Sequence, residues 1–379
     1  MWLIAGVWMF LAALSAIAAI RIKMPAALVE IIAGILAGNL IALRTNAWID
    51  FVAGFGSILL TFLAGAEIDP AVLRRQIIPS TVLGGASFAA PFLAAMAYAH
   101  FVAHWSPDAA KIAGIAMSTT SVAVVYAVMI ESGLAAEEFG QLILAACFFT
   151  DVGTVVALGL LFANYNAWLV LLCVAILCAM LIVPKVLPPI IERTRRYVSE
   201  PGLRILFAVI FVLAALAASA RSEGVLPAYF MGLACAGMLL TYPDIKRRLQ
   251  SLTMALLAPF YFLKAGTYVS LAAAANGAGL IAALFFVKMI AKMFGVFPLA
   301  RFAFKYSPAN SNYLTLMMAT GLTFGTISSL YGLTHHYITR AQYTALVTVV
   351  ILTAIVPTWV AQTLFKPGEE PEEMELEVP

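Results

Sequence analysis

Residues 145–154 read Ala-Ala-Cys-Phe-Phe-Thr-Asp-Val-Gly-Thr. Asp151 stands in the middle of an apolar run, 138–163, whose only other charge is Glu138 at its start. A helix needs about 20 apolar residues to cross a bilayer. A charge at the bilayer centre costs at least about 2.5–3.5 kcal/mol on insertion scales, so a carboxylate there calls for a reason. Either it carries an ion or proton, or it is a structural acid bonded to a neighbouring helix. A carboxylate takes up a proton, and its oxygens are hard ligands for small cations. One such group can therefore hold H⁺ and a cation in turn.

The rest of the chain resembles this run. Of 379 residues, 63% are hydrophobic and 11% charged, with a mean hydropathy of +0.99. A soluble domain carries about 25% charge. A cytosolic enzyme, a disordered chain and a nucleic-acid binder are excluded, and a net charge of +3 points to no polyanionic partner. Cutting at charges, Pro and Gly gives thirteen spans: 1–20, 24–43, 51–67, 77–103, 109–131, 138–163, 167–190, 202–220, 223–241, 252–273, 277–303, 308–332 and 341–365. No charge precedes the first, which reads as a retained helix and not a signal peptide. The acidic stretch 366–379 reads as a disordered cytoplasmic tail.

Lys and Arg favour the cytoplasmic side. With the N-terminus outside, 14 of the 22 fall on cytoplasmic segments and four (Arg44, Lys111, Arg221, Arg340) on outer ones. This ratio predicts a C-terminus inside, and the pattern fits a prokaryotic inner membrane. Thirteen spans divide as six, one, six. Residues 1–163 and 202–365 are then inverted repeats, as in secondary transporters, joined by a linker helix within 164–201. Phe62-Leu63-Ala64-Gly65 resembles Phe262-Leu263-Lys264-Ala265-Gly266, and Gly34 with Gly38 resembles Gly232 with Gly237, both near an offset of 200.

Other polar groups lie inside spans. Lys288 and Lys292 are four apart and share a helix face. Either can pair with Asp151 or with a broken helix end, and the sequence does not say which is the core lysine. Lys264 reads as snorkelling or structural. The fifth span carries Ser118-Thr119-Thr120-Ser121 and the twelfth Thr320-Gly321-Leu322-Thr323-Phe324-Gly325-Thr326. Hydroxyls and glycines let a backbone leave the helix while staying hydrogen-bonded, although small residues also serve helix packing. Unwinding is expected at both. Glu30, Glu67 and Asp69 can line an ion funnel, and the last two can equally sit at a solvated helix end. His100 and His104 share a face near an outer end, and His335 and His336 are adjacent. The four cysteines read as small buried hydrophobes. Paired intramembrane aspartates, HExxH and a Ser/His pair are absent from the spans, so no enzyme and no cofactor are expected.

These residues carry a resemblance. Phe62-Leu63-Ala64-Gly65-Ala66-Glu67-Ile68-Asp69 resembles the FLxGxExD signature of the monovalent cation/proton antiporter-2 family, which includes NapA-type and Kef-type transporters. Met117–Glu131, Gly140, Gln141 and Thr150-Asp151-Val152 are similar to its fifth span and ion-binding helix. Pro259–Phe262 with Gly266, and Ala291–Gly295, resemble two further segments. The resemblance implies an all-α membrane fold of two inverted six-helix repeats with crossed broken helices. Core helices would lie within 77–163 and 277–365, and scaffold (dimer) helices within 1–67 and 202–273. It also implies a homodimer in the lipid bilayer. Asp151 falls on the family's ion-binding aspartate, Lys292 on its core lysine, and Thr119, Thr120 and Ser121 near its unwound ligands. Electrogenic members have two adjacent acids where this chain has Thr150-Asp151, and the Arg-Gly-Glu element of many NapA-like members is replaced around Leu322–Thr326.

The expected activity is antiport of H⁺ against Na⁺ or another alkali cation, with the cation at Asp151 and oxygens of Thr150, Thr120 and Ser121 nearby. With Thr150 in place of the first acid, electroneutral exchange is expected. K⁺/H⁺ exchange, an anion carrier using Lys288 and Lys292, and a non-transporting scaffold are the alternatives.

Overall fold

The computed structural model describes residues 2–22, 24–66, 75–134, 137–162, 167–194, 197, 199–220, 224–365 and 367. Glu67, Asp69, the acidic tail beyond 367 and several of the counted basic residues lie outside the described residues. All regular elements among the described residues are helical. They are α1 (Trp2–Ile22), α2 (Ala26–Leu40), α3 (Ala47–Ala66), α4 (Ile77–Ala97), α5 (Pro107–Ser118), α6 (Val122–Glu131), α7 (Glu138–Leu161), α8 (Ala167–Thr194) and α9 (Pro201–Ser219). The second half holds α10 (Val225–Thr241), α11 (Pro243–Leu252), α12 (Ala258–Thr267), α13 (Leu271–Asn276), α14 (Ala278–Pro298), α15 (Pro308–Ala319), α16 (Thr323–Thr334) and α17 (Arg340–Leu364). Among the described residues, nine helical spans are long and apolar enough to cross a membrane, and α2 and α10 are shorter apolar helices.

The segments 77–131 and 278–334 match element by element. The wider turns Tyr98–Val102 and Leu299–Ala303 extend α4 and α14 and lie 201 positions apart. Each closes on a five-residue bond, Ala103 N to Tyr98 O and Phe304 N to Leu299 O. His104 and Lys305 then take left-handed backbone (φ 54° and 59°). Ser106 and Ser307 cap the next helix, their hydroxyls accepting from Ala109 N at 3.3 Å and Asn310 N at 3.1 Å, with Pro at the first position. This is how a helix start is satisfied when Pro removes a donor. Both helices run twelve residues and stop at an extended threonine, Thr119 (ψ 148°) or Thr320 (ψ 132°).

The helices pack in two groups. In one, α2 lies on α12, α3 on α10 and α12, and α8 on α9 and α10. The glycines noted in the sequence make the closest approaches. A Cβ on Gly34 would collide with the Leu263 carbonyl, and one on Gly232 with the Phe62 carbonyl. Gly65 and Gly266 meet Tyr229 and Ile31 in the same way. Gly34 of α2 thus packs on the Phe262-Leu263 segment of α12, and Gly232 of α10 on the Phe62-Leu63 segment of α3. Such backbone contact replaces the hydrophobic drive that is missing between helices in lipid. In the other group, α4 packs on α5, α7 and α14, α5 on α16, and α17 on α14, α15 and α16.

Three expectations are corrected. The tenth span does not run over 252–273: helical backbone is continuous from Pro243 through a wider turn at Thr253–Leu257 to Thr267, and Leu271–Asn276 is a separate short helix. Cys173 and Cys178 are exposed on α8, while Cys147 and Cys235 are buried. His104 lies past the end of the helical turn at Val102, so it shares no helix face with His100.

Candidate functional site

The two broken spans face each other inside the second group. The fifth is interrupted between α5 and α6 at 119–121 and the twelfth between α15 and α16 at 320–322. The span Pro308–Thr334 is, among the described residues, the most enclosed of the membrane-length spans, with 89% of the residues in its most apolar stretch buried. A helix end leaves carbonyls without intrahelical partners, and in an apolar interior each needs one. The hydroxyls of the break supply several. Ser118 Oγ donates to Ile115 O (2.7 Å), Thr119 Oγ1 to Ala116 O (3.0 Å) and Thr320 Oγ1 to Met317 O (2.8 Å). Two bonds cross between the breaks: Thr120 Oγ1 donates to Met318 O (2.7 Å) and Ser121 N to Thr320 O (2.9 Å).

The lysines supply the rest. Lys292 Nζ donates to Ser118 O (2.9 Å), Ser87 Oγ (2.7 Å) and Thr120 Oγ1 (3.1 Å). Lys288 Nζ donates to Thr119 O (3.3 Å) and Thr353 Oγ1 (3.2 Å). Both are fully buried. A cation suits the negative end of a helix, and two cations meet the end of α5. The sequence left open which of the two is the core lysine; both are buried at the same helix end.

Asp151 lies on the unbroken α7, 2% exposed. Cys147, one turn before it, touches Met318 with its sulfur (3.6 Å), which sets this stretch of α7 beside the end of α15. Asp151 is within electrostatic reach of Lys292, Cys147 and Tyr229. Its neighbour Thr150 donates to Ala146 O at 3.1 Å. The buried Ser121 hydroxyl finds no hydrogen-bond partner among the described residues, as suits an oxygen that serves a ligand.

Thr119, Thr120, Ser121, Thr320 and Gly321 lie in or at the breaks. Thr323, Gly325 and Thr326 do not: they are helical, because Thr326 N already bonds Leu322 O (3.0 Å) and the ordinary ladder has resumed. Gly325 still faces the break, and a Cβ there would stand 3.0 Å from Thr119 Oγ1. Ser87, Thr353 and Tyr229 were missed. A hydroxyl near the middle of a largely apolar span was the available signal for Ser87, whereas Thr353 is one of five threonines in α17 and nothing in the sequence set it apart. Lys264 bonds Asp50 at 2.8 Å and lines a cavity of about 150 Å³ between the two helix groups, with Ser57, Tyr261, Tyr331 and Thr334. Groups of three or more metal-ligating His, Cys, Asp or Glu side chains are absent among the described residues.

Comparison with known proteins agrees with this architecture. The family model "Sodium/hydrogen exchanger, transmembrane" matches residues 7–366. A putative Na⁺/H⁺ antiporter, YjbQ, of Bacillus subtilis (strain 168) is 24% identical. That match covers 93% of this chain and 61% of the relative's length. The sodium proton antiporter MjNhaP1 from Methanocaldococcus jannaschii, solved at pH 8, superposes with a TM-score of 0.72 at 18% identity, covering 95% of this chain and 97% of that one. An electron-microscopy structure of the same protein gives 0.70 at 17% identity, covering 97% and 98%. These two likenesses are likenesses of fold. With nearly its whole length inside the family match, the chain belongs to the sodium/hydrogen exchanger family.

Proposed function

We propose that the protein is a secondary antiporter that exchanges H⁺ for a monovalent cation, Na⁺ by preference, at the Asp151 carboxylate. The observation that carries this reading is a buried carboxylate on an unbroken helix beside two crossed helix breaks, with an unbonded Ser121 hydroxyl at the crossing. Binding of a cation to the carboxylate displaces its proton, so one group couples both fluxes. Thr150, Thr120 and Ser121 offer the further oxygens. One carboxylate exchanging one H⁺ for one cation makes the cycle electroneutral.

The helix group that holds both breaks is the moving core, and the group built on the crossed glycines is the scaffold. Alternating access is the motion of one against the other, and the cavity beside Lys264 lies at their boundary. The matching of 77–131 with 278–334 at an offset of 201 supports two inverted repeats, while thirteen spans with the N-terminus outside rest on the Lys and Arg count. In the single chain α1, α8 and α9 expose apolar faces, which supports a homodimer through the scaffold. The Phe62–Asp69 signature supports the antiporter-2 branch of the family.

An anion carrier is disfavoured because the ammonium groups of both lysines already donate to protein oxygens. The test uses proteoliposomes with an acid interior and a pH-sensitive dye. Na⁺, Li⁺, K⁺ and Rb⁺ are added in turn, beside an Asp151→Asn control. Cation-driven dequenching that vanishes in the control is the expected result. Silence with every cation from correctly inserted protein overturns antiport, and activity retained in Asp151→Asn overturns the assignment of the carboxylate.

A further inference from the structure

The two halves of the core match in backbone but not in charge. At the offset of 201, Ser87 of α4 corresponds to Lys288 of α14. The helices α7 and α17 begin after Glu137 and Thr339, an offset of 202, so Asp151 corresponds to Thr353. The break at Thr119 corresponds to the break at Thr320. Lys288 Nζ therefore sits at a particular place: it bonds Thr353, the counterpart of Asp151, and Thr119 O, the end carbonyl of the facing break. A Cβ built on Gly321 would stand 2.5 Å from Lys288 Nζ and 3.2 Å from both Thr119 Oγ1 and Thr353 Oγ1. The glycine leaves the room that the ammonium fills.

We propose that the Lys288 ammonium is a tethered cation occupying the second-repeat counterpart of the Asp151 ion site. The Thr119 carbonyl and the Thr353 hydroxyl bond it, and such oxygens are hard ligands of the kind that hold alkali cations. Repeat one has the small Ser87 and a carboxylate, and its site takes a mobile ion. Repeat two has a lysine and an uncharged threonine, and its site is permanently filled. The core then carries one exchangeable cation instead of two. An ammonium group is close to K⁺ in size, so removal of the side chain opens a site that takes K⁺ more readily than Na⁺.

This inference rests on Asp151 being the ordinary ion site, and the experiment separates the two. Thermal unfolding of detergent-purified protein is followed against KCl, NaCl and choline chloride at constant ionic strength. In Asp151→Asn, cation-dependent stabilisation is expected to disappear. Stabilisation that persists there counts against the Asp151 assignment alone. In Asp151→Asn/Lys288→Ala, stabilisation by K⁺, weaker by Na⁺ and absent with choline, is expected to return as a shift of several degrees. A second variant adds Thr353→Asp to that pair, supplying the carboxylate that repeat one has, and is expected to bind more tightly and to take Na⁺ as well. Variants that fold only in the presence of K⁺ or Na⁺ also support the proposal. Folded variants whose unfolding is the same in KCl and choline overturn it, as does failure of both to fold at any cation concentration.

Discussion

The ammonium of Lys292 lies 2.9 Å from the carbonyl oxygen of Ser118, on the last residue of α5. That single bond ties a lysine on an intact helix to the end of a broken one. Ser87 Oγ and Thr120 Oγ1 complete its three donations. The cation therefore neutralises the negative end of α5 and satisfies its carbonyl at once.

Truncation of this lysine removes the donor to three buried oxygens, of which Thr120 Oγ1 keeps its own bond to Met318 O. Hydrogen bonds to charged groups contribute about 1.5–3 kcal/mol, and a buried group left alone costs its full desolvation. Lys292→Ala is expected to lose at least about 2 kcal/mol of stability, seen as a lowered unfolding temperature in detergent. Lys292→Gln keeps a donor without the charge and should recover part of that loss. Wild-type stability in Lys292→Ala would remove this lysine from the account of the break.

Thr120 joins the two breaks through its side chain: its hydroxyl donates to Met318 O and accepts from Lys292. Thr120→Val preserves shape and loses both. The expected cost is about 1–3 kcal/mol, with a fall in exchange rate measured by dye dequenching. Thr120→Ser retains the hydroxyl and is expected to exchange close to the wild-type rate. Equal rates for the Val and Ser variants would show that the hydroxyl is not needed.

Much of this arrangement was legible because polar residues are scarce in the spans. Ser118–Ser121 and Thr320–Gly321 could be recognised as places where a helix unwinds, since hydroxyls offer carbonyls an alternative partner. The end of unwinding at Leu322 was not legible: Thr323, Gly325 and Thr326 have the same composition as the break, and only the returning ladder distinguishes them. The burial of Cys173 and Cys178 was misread for a related reason. Lipid is as apolar as a protein interior, so composition does not separate a face on lipid from a face on a neighbour. Lys288 and Lys292 share a helix face, and their separate partners depend on a crossing between spans about 170 residues apart in sequence.

Two glycines of α10 provide a contrast within one helix. A Cβ on Gly232 would collide with the Phe62 carbonyl, whereas one on Gly237 meets nothing within 4 Å. Overpacking typically costs about 1–3 kcal/mol, and backbone gives way less easily than a flexible side chain. Gly232→Ala is expected to destabilise the fold by that amount or more. Gly237→Ala should be neutral or stabilising by up to about 1 kcal/mol, the helix propensity of Ala over Gly. Unfolding temperatures of the two variants measured side by side decide the point; similar values would mean that α3 and α10 do not meet through Gly232.

The last prediction concerns charge movement. One carboxylate that trades a single H⁺ for a single monovalent cation carries the same net charge in both loaded states. In the proposed cycle the buried lysines travel with the core in both directions, so their contributions cancel. Each net charge moved through 100 mV is worth about 2.3 kcal/mol, a bias that a rate measurement resolves easily. Exchange in proteoliposomes clamped with K⁺ and valinomycin is therefore expected to proceed at the same rate at zero and at negative potential. Thr150→Asp places a second carboxylate beside Asp151, as in electrogenic relatives by resemblance, on a helix position that is fully buried. If that group also exchanges a proton, the variant moves net charge and its rate becomes potential-dependent. A potential-dependent rate in the wild type would instead require a second proton carrier, and Lys288 and Lys292 are the buried groups positioned to provide it.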